Sequence, residues 1–331
     1  MNTNESAVLV HLASGIGNIV LATPLLVALN ELGLTVDVWL SADYPQTADL
    51  LRPWNVVRQI FSGPSPPAMQ QYAHVIPATP PFYWPRFAAR FASLKNLVPR
   101  PRARLFYQEE QDFYLDFARH LGTSPDRHPF CTLPIVADET YGVISSTVVL
   151  APGCKTGEMT AKRWPHFSEL AEAFADVVIV GTEDDWRRSD GRCLRFPDHA
   201  RSFVGQLTLR QTAELMAGAG VVVANDSGLA HIAAAVGAPT IIIFGPTPHQ
   251  TLGQFPPNVT ILRQGLACEP CWFGQRFRAC ARRITCLEAL NVEIVVEKIQ
   301  RIGISGILAG RRGLRQSPES TRSPNRCFVF T

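Results

Sequence analysis

Residues 221–247 read VVVANDSGLAHIAAAVGAPTIIIFGPT, and the reading of this stretch decides the fold. Residues 221–224 are a continuous apolar, β-branched run, as expected of a strand buried on both faces. Asn225-Asp226-Ser227-Gly228 then breaks the run, and residues 229–236 carry a helix that is nearly all small side chains. A helix so built can lie close against its sheet. Residues 240–244 form a second buried run, ending at Gly245-Pro246. Strand, tight turn, helix and strand make a βαβ unit, so the sheet is parallel.

Working outward, the same scheme recurs. Strands are expected at residues 148–150 and 177–180. Thr208-Leu209-Arg210-Gln211 has the spacing of a capping box and opens a helix to about residue 219. In the first half, residues 7–12 are a strand, Gly15-Ile16-Gly17-Asn18 a glycine turn, and an apolar helical stretch runs to Leu32. Gly33 stops that helix, and residues 35–40 form the next strand. Thr23-Pro24 either opens a helix or kinks one. Prolines punctuate residues 63–85, and no further strand is expected before residue 148.

The expectation is an α/β protein of two Rossmann-like, doubly wound domains facing each other across a cleft. Residues 1–145 and 146–302 are the two halves, joined by a polar, turn-rich stretch at about 134–146. Ligands are expected at the carboxyl ends of the strands. Residues 303–331, rich in Gly, Ser, Pro and Arg, read as a disordered basic tail.

Composition excludes several classes. The chain has 331 residues, 46% hydrophobic, with a formal net charge of +3. That length suits two domains with cores of their own. No run approaches the ~18 apolar residues of a membrane span. MNTNESAVLVHL lacks the basic stretch and cleavage site of a secretory signal, so a cytoplasmic location with reduced thiols is expected.

Asn225-Asp226-Ser227-Gly228-Leu229-Ala230-His231 is the strongest chemical motif. A helix amino terminus offers unpaired N–H groups and partial positive charge, and is a ready anion site. Gly228 would let a phosphate approach the backbone, and Ser227 and His231 share a helix face. The plainer reading is that Asp226 or Ser227 caps the helix. After the strand at 148–150, Ala151-Pro152-Gly153 leads to Lys162-Arg163-Trp164-Pro165, where Lys162 can neutralise a diphosphate. Glu183 follows the next strand and is placed to accept from ribose hydroxyls, or serves as a first-turn acid. The glycine turn lacks the third glycine of a dinucleotide fingerprint, Val20 standing there instead.

These motifs, with Gly245-Pro246-Thr247 and a cysteine-rich stretch from Cys268 to Leu287, resemble the heptosyltransferase family of bacterial lipopolysaccharide synthesis. That family consists of glycosyltransferases of the two-Rossmann GT-B architecture. The resemblance spans residues 7 to about 302. It implies that the second half binds an ADP-sugar and the first half an acceptor. Lys162 and the backbone around Ser227, Gly228 and Leu229 would hold the diphosphate, with His231 supporting it. Glu183 would hold the ribose and Leu207 the adenine, and Asp226 would sit beside the transferred sugar. No cofactor beyond the donor is implied.

The resemblance also implies inversion, with a carboxylate directly after Gly17 as base. This chain has Asn18 there, and an amide is no general base. Asn18 is therefore expected to orient the acceptor hydroxyl. His11, Asp37 and Asp43 are the other groups that can lie near the same cleft. Cys268, Cys271, Cys280 and Cys286 contain one Cys-x-x-Cys pair where a structural zinc site has two. Packed thiols are the plainer reading, and metal binding stays open.

Residues 50–108 hold eight basic residues and no acidic one. These are Arg52, Arg58, Arg86, Arg90, Lys95, Arg100, Arg102 and Arg104. With the basic tail, they leave the remainder of the chain acidic. Phe87, Phe91, Leu94 and Val98 lie at helical spacing, with Arg86 and Arg90 beside them, as in a basic amphipathic helix. An anionic glycolipid acceptor and contact with the inner-membrane surface are expected, with no nucleic acid. A sugar-nucleotide binder without catalysis and a nicotinamide oxidoreductase are the alternatives.

Overall fold

The computed structural model describes residues 6–13, 15–40, 44–80, 84–101, 109–123, 130–155, 157–186, 193–272, 280 and 285–305. Two parallel sheets organise them. The first contains β1 (Ala7–Leu12), β2 (Thr35–Leu40), β3 (Val57–Ser62) and β4 (His74–Ala78), in the order β3-β2-β1-β4. The second contains β5 (Val148–Ala151), β6 (Val177–Ile179), β7 (Arg201–Ser202), β8 (Val221–Asn225), β9 (Thr240–Ile243) and β10 (Val259–Leu262). Its order is β10-β9-β8-β5-β6-β7, the doubly wound arrangement. This is the two-Rossmann GT-B architecture.

The helices of the first half are α1 (Ile16–Leu21), α2 (Thr23–Glu31), α3 (Ala48–Leu51), α4 (Ala88–Phe91) and α5 (Glu110–His120). Those that follow are α6 (Phe167–Ala173), α7 (Leu209–Ala217), α8 (Gly228–Ala235), α9 (Thr285–Glu288) and α10 (Val292–Arg301). No described helix is long and apolar enough to cross a membrane.

Strand order reverses beside β1 in the first sheet and between β5 and β8 in the second. A crevice opens at such a reversal, because the connections on its two sides leave in opposite directions. The turns after β1, β5 and β8 carry Gly15, Pro152 and Asp226, so the topology brings the three main motifs to one place.

β1 is buried at all six positions, which accounts for its apolar sequence, His11 alone being polar. One apolar core joins Val10, Leu25 and Phe117 of the first half to Val149, Val222 and Ile242 of the second. Trp164, Phe167, Leu287 and Val295 close the other face of the second sheet. The turn at Thr208 is a complete capping box, with Thr208 Oγ1 accepting from Gln211 N and Gln211 Oε1 from Thr208 N. Pro24 opens a helix: the chain breaks at Ala22, and α2 restarts with proline in its first turn.

Several expectations need correction. β3 and β4 occupy a region where no strand was expected. Pro77 lies in β4, an edge strand, where a missing N–H costs no ladder bond on the open side. The Phe87, Phe91, Leu94, Val98 stripe is no amphipathic helix. Only Ala88–Phe91 is α-helical, and Phe87, Phe91 and Val98 are buried in the core. Residues 134–146, expected as a polar linker, carry the buried anchors Ile135 and Val143, and just before them the buried Leu133 donates its N–H to Ala235 O. Residues 306–331, most of the expected tail, lie outside the described residues, as do Asp43, Arg102 and Arg104.

Candidate functional site

The site is built on the end of β8. Asn225 is fully buried and joins two loops: its Oδ1 accepts from Trp164 N at 2.9 Å, and its Nδ2 donates to Pro152 O at 2.5 Å. The loop after β5 is thereby held against the turn after β8, and Lys162 is delivered to Asp226. Lys162 Nζ lies 2.9 Å from Asp226 Oδ2, which also accepts from Thr247 Oγ1 at 2.8 Å. His231 Nε2 stands 3.9 Å from Asp226 Oδ1.

The electrostatics follow from this geometry. Burial pushes the Asp226 carboxyl up, but Lys162, His231 and the bond from Thr247 together hold it below its ordinary value. Burial lowers His231, and Lys162 lowers it further while Asp226 works in the opposite sense. Asp226 is therefore ionised at neutral pH and His231 neutral, so Lys162 is the cation of this cluster.

Ser227 settles the question of a simple cap. It stands at the N-cap of α8 with extended backbone, yet no side-chain cap bond is made. Ser227 Oγ is buried and has no hydrogen-bond partner among the described residues. A buried, unpaired hydroxyl is costly. Here it lies at a helix amino terminus beside a lysine, where an anion would satisfy both.

The opposite wall is α1, packed directly on α8. A Cβ on Gly17 would fall 2.9 Å from His231 Cδ2, and one on Gly228 would fall 2.9 Å from Ile16 Cβ. The missing side chain of Gly228 thus makes room for α1. At the start of α1, Asn18 Oδ1 accepts from Gly15 N at 2.9 Å, and Asn18 Nδ2 donates to Glu110 Oε1 at 2.5 Å. The two partners assign the amide's orientation unambiguously.

Glu110 opens α5 and also accepts from Tyr114 OH at 2.6 Å. Burial pushes its carboxyl up and Asp226 adds to the rise, against the lowering effect of the bonds from Tyr114 and Asn18. The helix start is anchored to the other half, since Gln111 N donates to Leu252 O and Gln111 Oε1 accepts from Gln254 N. Phe255, just beyond, stacks on His231 with ring centroids 6.2 Å apart.

Gly17, Asn18, Lys162, Asp226, Ser227, Gly228, Leu229 and His231 thus come together. Glu183 and Leu207 lie farther along the strand ends, after β6 and before α7, with Glu183 beside Gly205. His11 is withdrawn from the cleft: it is fully buried against Trp39, Phe87 and Phe91. Asp37 is likewise buried, paired with Arg58 and accepting from Tyr72. Glu110 and Thr247 are the additions to the site that sequence reasoning did not assign.

The basic stretch carries less free charge than its composition suggested. Arg52 and Arg58 pair with Asp49 and Asp37, acids that precede it in sequence. Arg100 is half-buried and donates to Pro77 O and Thr79 O. Arg86, Arg90 and Lys95 are exposed, and Arg90 also donates to Pro64 O. Cys268, Cys271, Cys280 and Cys286 are not disulfide-bonded, and Cys271 is raised by burial and then by the neighbouring Cys280 and Cys268. Among the described residues no group of three or more His, Cys, Asp or Glu side chains is arranged to hold a metal ion. Cys193 is disulfide-bonded, so the expectation of uniformly reduced thiols fails there.

Comparison with known proteins agrees with this geometry. The chain is 36% identical over 122 residues to lipooligosaccharide heptosyltransferase 2 of Haemophilus influenzae, covering 34% of this chain and 35% of that protein. The alignment thus spans about a third of that relative's length. The fold is similar to the glycosyl transferase family 9 structure from Veillonella parvula, with a TM-score of 0.69 at 14% identity over 90% of this chain and 97% of that one. It is also similar to E. coli heptosyltransferase WaaC with ADP, with a TM-score of 0.62 at 20% identity over 89% and 99% of the two chains. Residues 135–279 match the family model for glycosyltransferase family 9 (heptosyltransferase).

Proposed function

We propose that this chain transfers a sugar, heptose in the first instance, from an ADP-sugar to a hydroxyl of an anionic glycolipid such as the lipopolysaccharide inner core. The observation that carries the reading is the unpartnered Ser227 Oγ at the start of α8, next to the Lys162–Asp226 pair. The names of the relatives, and the ADP held by the E. coli structure, support the donor class.

Cleaving a glycosyl–diphosphate bond places negative charge on the departing diphosphate. Stabilisation has to be aimed at that charge as it forms. Lys162, the first N–H groups of α8 (Gly228 and Leu229) and Ser227 Oγ meet it in this reading, and His231 donates as a neutral ring. Asp226 holds Lys162 before the donor arrives and faces the sugar afterwards. Glu183 takes the ribose and Leu207 covers the adenine. Asn18 and Gly17 line the acceptor side, and exposed Arg86 and Arg90 attract the acceptor's anionic groups. The work is placed in the cytoplasm at the inner-membrane surface, with no nucleic acid involved and no cofactor beyond the donor.

Calorimetry with ADP, UDP and NAD, followed by turnover of ADP-heptose with a lipid acceptor, tests the reading. ADP is expected to bind at least tenfold more tightly than UDP or NAD, with transfer observed. Absence of both preference and transfer defeats it. The amide at position 18 favours a second reading, a binder without catalysis, which predicts ADP binding and no glycolipid product. An oxidoreductase has less support, since Gly17 serves the contact with α8.

A further inference from the structure

An acceptor hydroxyl that attacks a glycosyl carbon must lose its proton, and Asn18 cannot take it. Its amide oxygen is occupied by Gly15 N–H, and its nitrogen points a proton at Glu110. Of the other groups weighed from sequence, Asp43 lies outside the described residues and the rest are engaged. Asp37 is locked to Arg58 and Tyr72, and Asp226 to Lys162 and Thr247. His11 is enclosed by aromatic rings.

Glu110 has no cationic partner among the described residues, where Asp37 has Arg58 and Asp226 has Lys162. Both of its hydrogen bonds, from Asn18 and Tyr114, fall on Oε1, and among the described residues Oε2 accepts none. Glu110 is half-buried, its carboxylate touches the residue directly after Gly17, and it is close enough to Asp226 to feel its charge. It thus stands where the two halves face each other.

We propose that Glu110 is the general base of the transfer, with Oε2 taking the acceptor's proton while Asn18 and Tyr114 hold Oε1. The inference rests on the glycosyltransferase reading. In the step, the hydroxyl oxygen forms a bond to the anomeric carbon and its proton passes to Glu110. The bond from that carbon to the diphosphate oxygen breaks, its electron pair leaving with ADP, and protonated Glu110 then returns its proton to water. The carboxylate absent at position 18 is supplied from α5, and the amide at 18 suits its neighbour: a second carboxylate there would stand 2.5 Å from the first.

The raised carboxyl of Glu110 agrees with this role, since a base is most effective when its pKa nears the working pH. The groups that face it are Tyr114 on its own helix, Asn18 from α1, Cys131 from the segment between α5 and β5, and Asp226 from the other half.

The test uses the full chain, ADP-heptose as donor and a lipid acceptor, with three variants: E110Q, N18D, and the exchange N18D/E110Q. In E110Q the new amide keeps an oxygen for Asn18 and Tyr114; in the exchange the amide now at 110 donates to the carboxylate at 18, and Tyr114 OH turns from donor to acceptor. E110Q is expected to bind ADP as the parent does and to lose kcat by about 100-fold or more. It should also lose the acid limb of the kcat–pH profile. The exchange is expected to recover at least tenfold. Parent-like kcat in E110Q overturns the inference. So does an exchange variant that binds ADP normally yet recovers nothing, which also covers an E110Q that fails to fold. A parent chain that neither binds ADP nor transfers overturns the underlying reading, and the inference with it.

Discussion

Gly17 and His231 meet across the cleft, with only 2.9 Å between a Cβ built on the glycine and the imidazole Cδ2. One belongs to the helix after β1 and the other to the helix after β8, so this contact sets how closely the halves approach. Gly17→Ala should force α1 from α8, with an overpacking cost of about 1–3 kcal/mol. The transfer rate should fall at least tenfold. Denaturant unfolding and turnover check this, and a variant unchanged in both would show that the contact is slack.

Lys162 and Asp226 form a nearly buried pair at 2.9 Å. Lys162→Met leaves the carboxylate unpaired, a change that costs about 3–5 kcal/mol at buried sites. ADP affinity should fall about tenfold or more. K162M/D226N should regain most of the stability and none of the affinity. Recovery of both by the double variant would mean that Lys162 acts only as Asp226's partner.

Asn225 does structural work for the site. Asn225→Ala leaves Trp164 N and Pro152 O without their partner, at about 1–3 kcal/mol each. The loop bearing Lys162 should then drift, raising KM for the donor. Urea unfolding together with donor kinetics gives the answer. Normal KM in a destabilised variant would confine Asn225 to stability.

His11 predicts a pH dependence. Burial, with a smaller effect from Arg90, pushes it down to about 3 from an ordinary 6.5. A depressed histidine contributes stability that is present above 6.5 and is lost as pH falls toward about 3, because the unfolded chain takes the proton first. The slope is about 1.4 kcal/mol per pH unit within that window. In His11→Phe this component should vanish from denaturant unfolding measured between pH 7 and 4. An unchanged slope would assign it to other groups.

The elements best read from sequence were those with one physical reason behind them. β1 and β2 match their expected limits because buried parallel strands are mostly apolar, and only His11, Thr35 and Asp37 depart from that here. The capping box at Thr208 is local chemistry. β3 and β4 escaped because they lie at sheet edges, where half-exposed residues and Pro77 are tolerated. The stripe at Phe87 misled because 3.6-residue spacing also arises among core residues of a short helix and the loop after it.

The site divides in the same way. Lys162, Asp226, Ser227 and His231 were legible because a strand end followed by a helix amino terminus is a local anion-binding pattern. Glu110 was not. It lies 92 residues from Asn18, within an otherwise ordinary acidic helix start, and no local pattern marks it. Alternating buried strands and small-residue helices determined the two parallel sheets, since burial on both faces is written residue by residue. Which carboxylate faces the acceptor was decided only when α5 packed beside α1, because a pairing across that distance depends on how helices pack, not on neighbours in the chain.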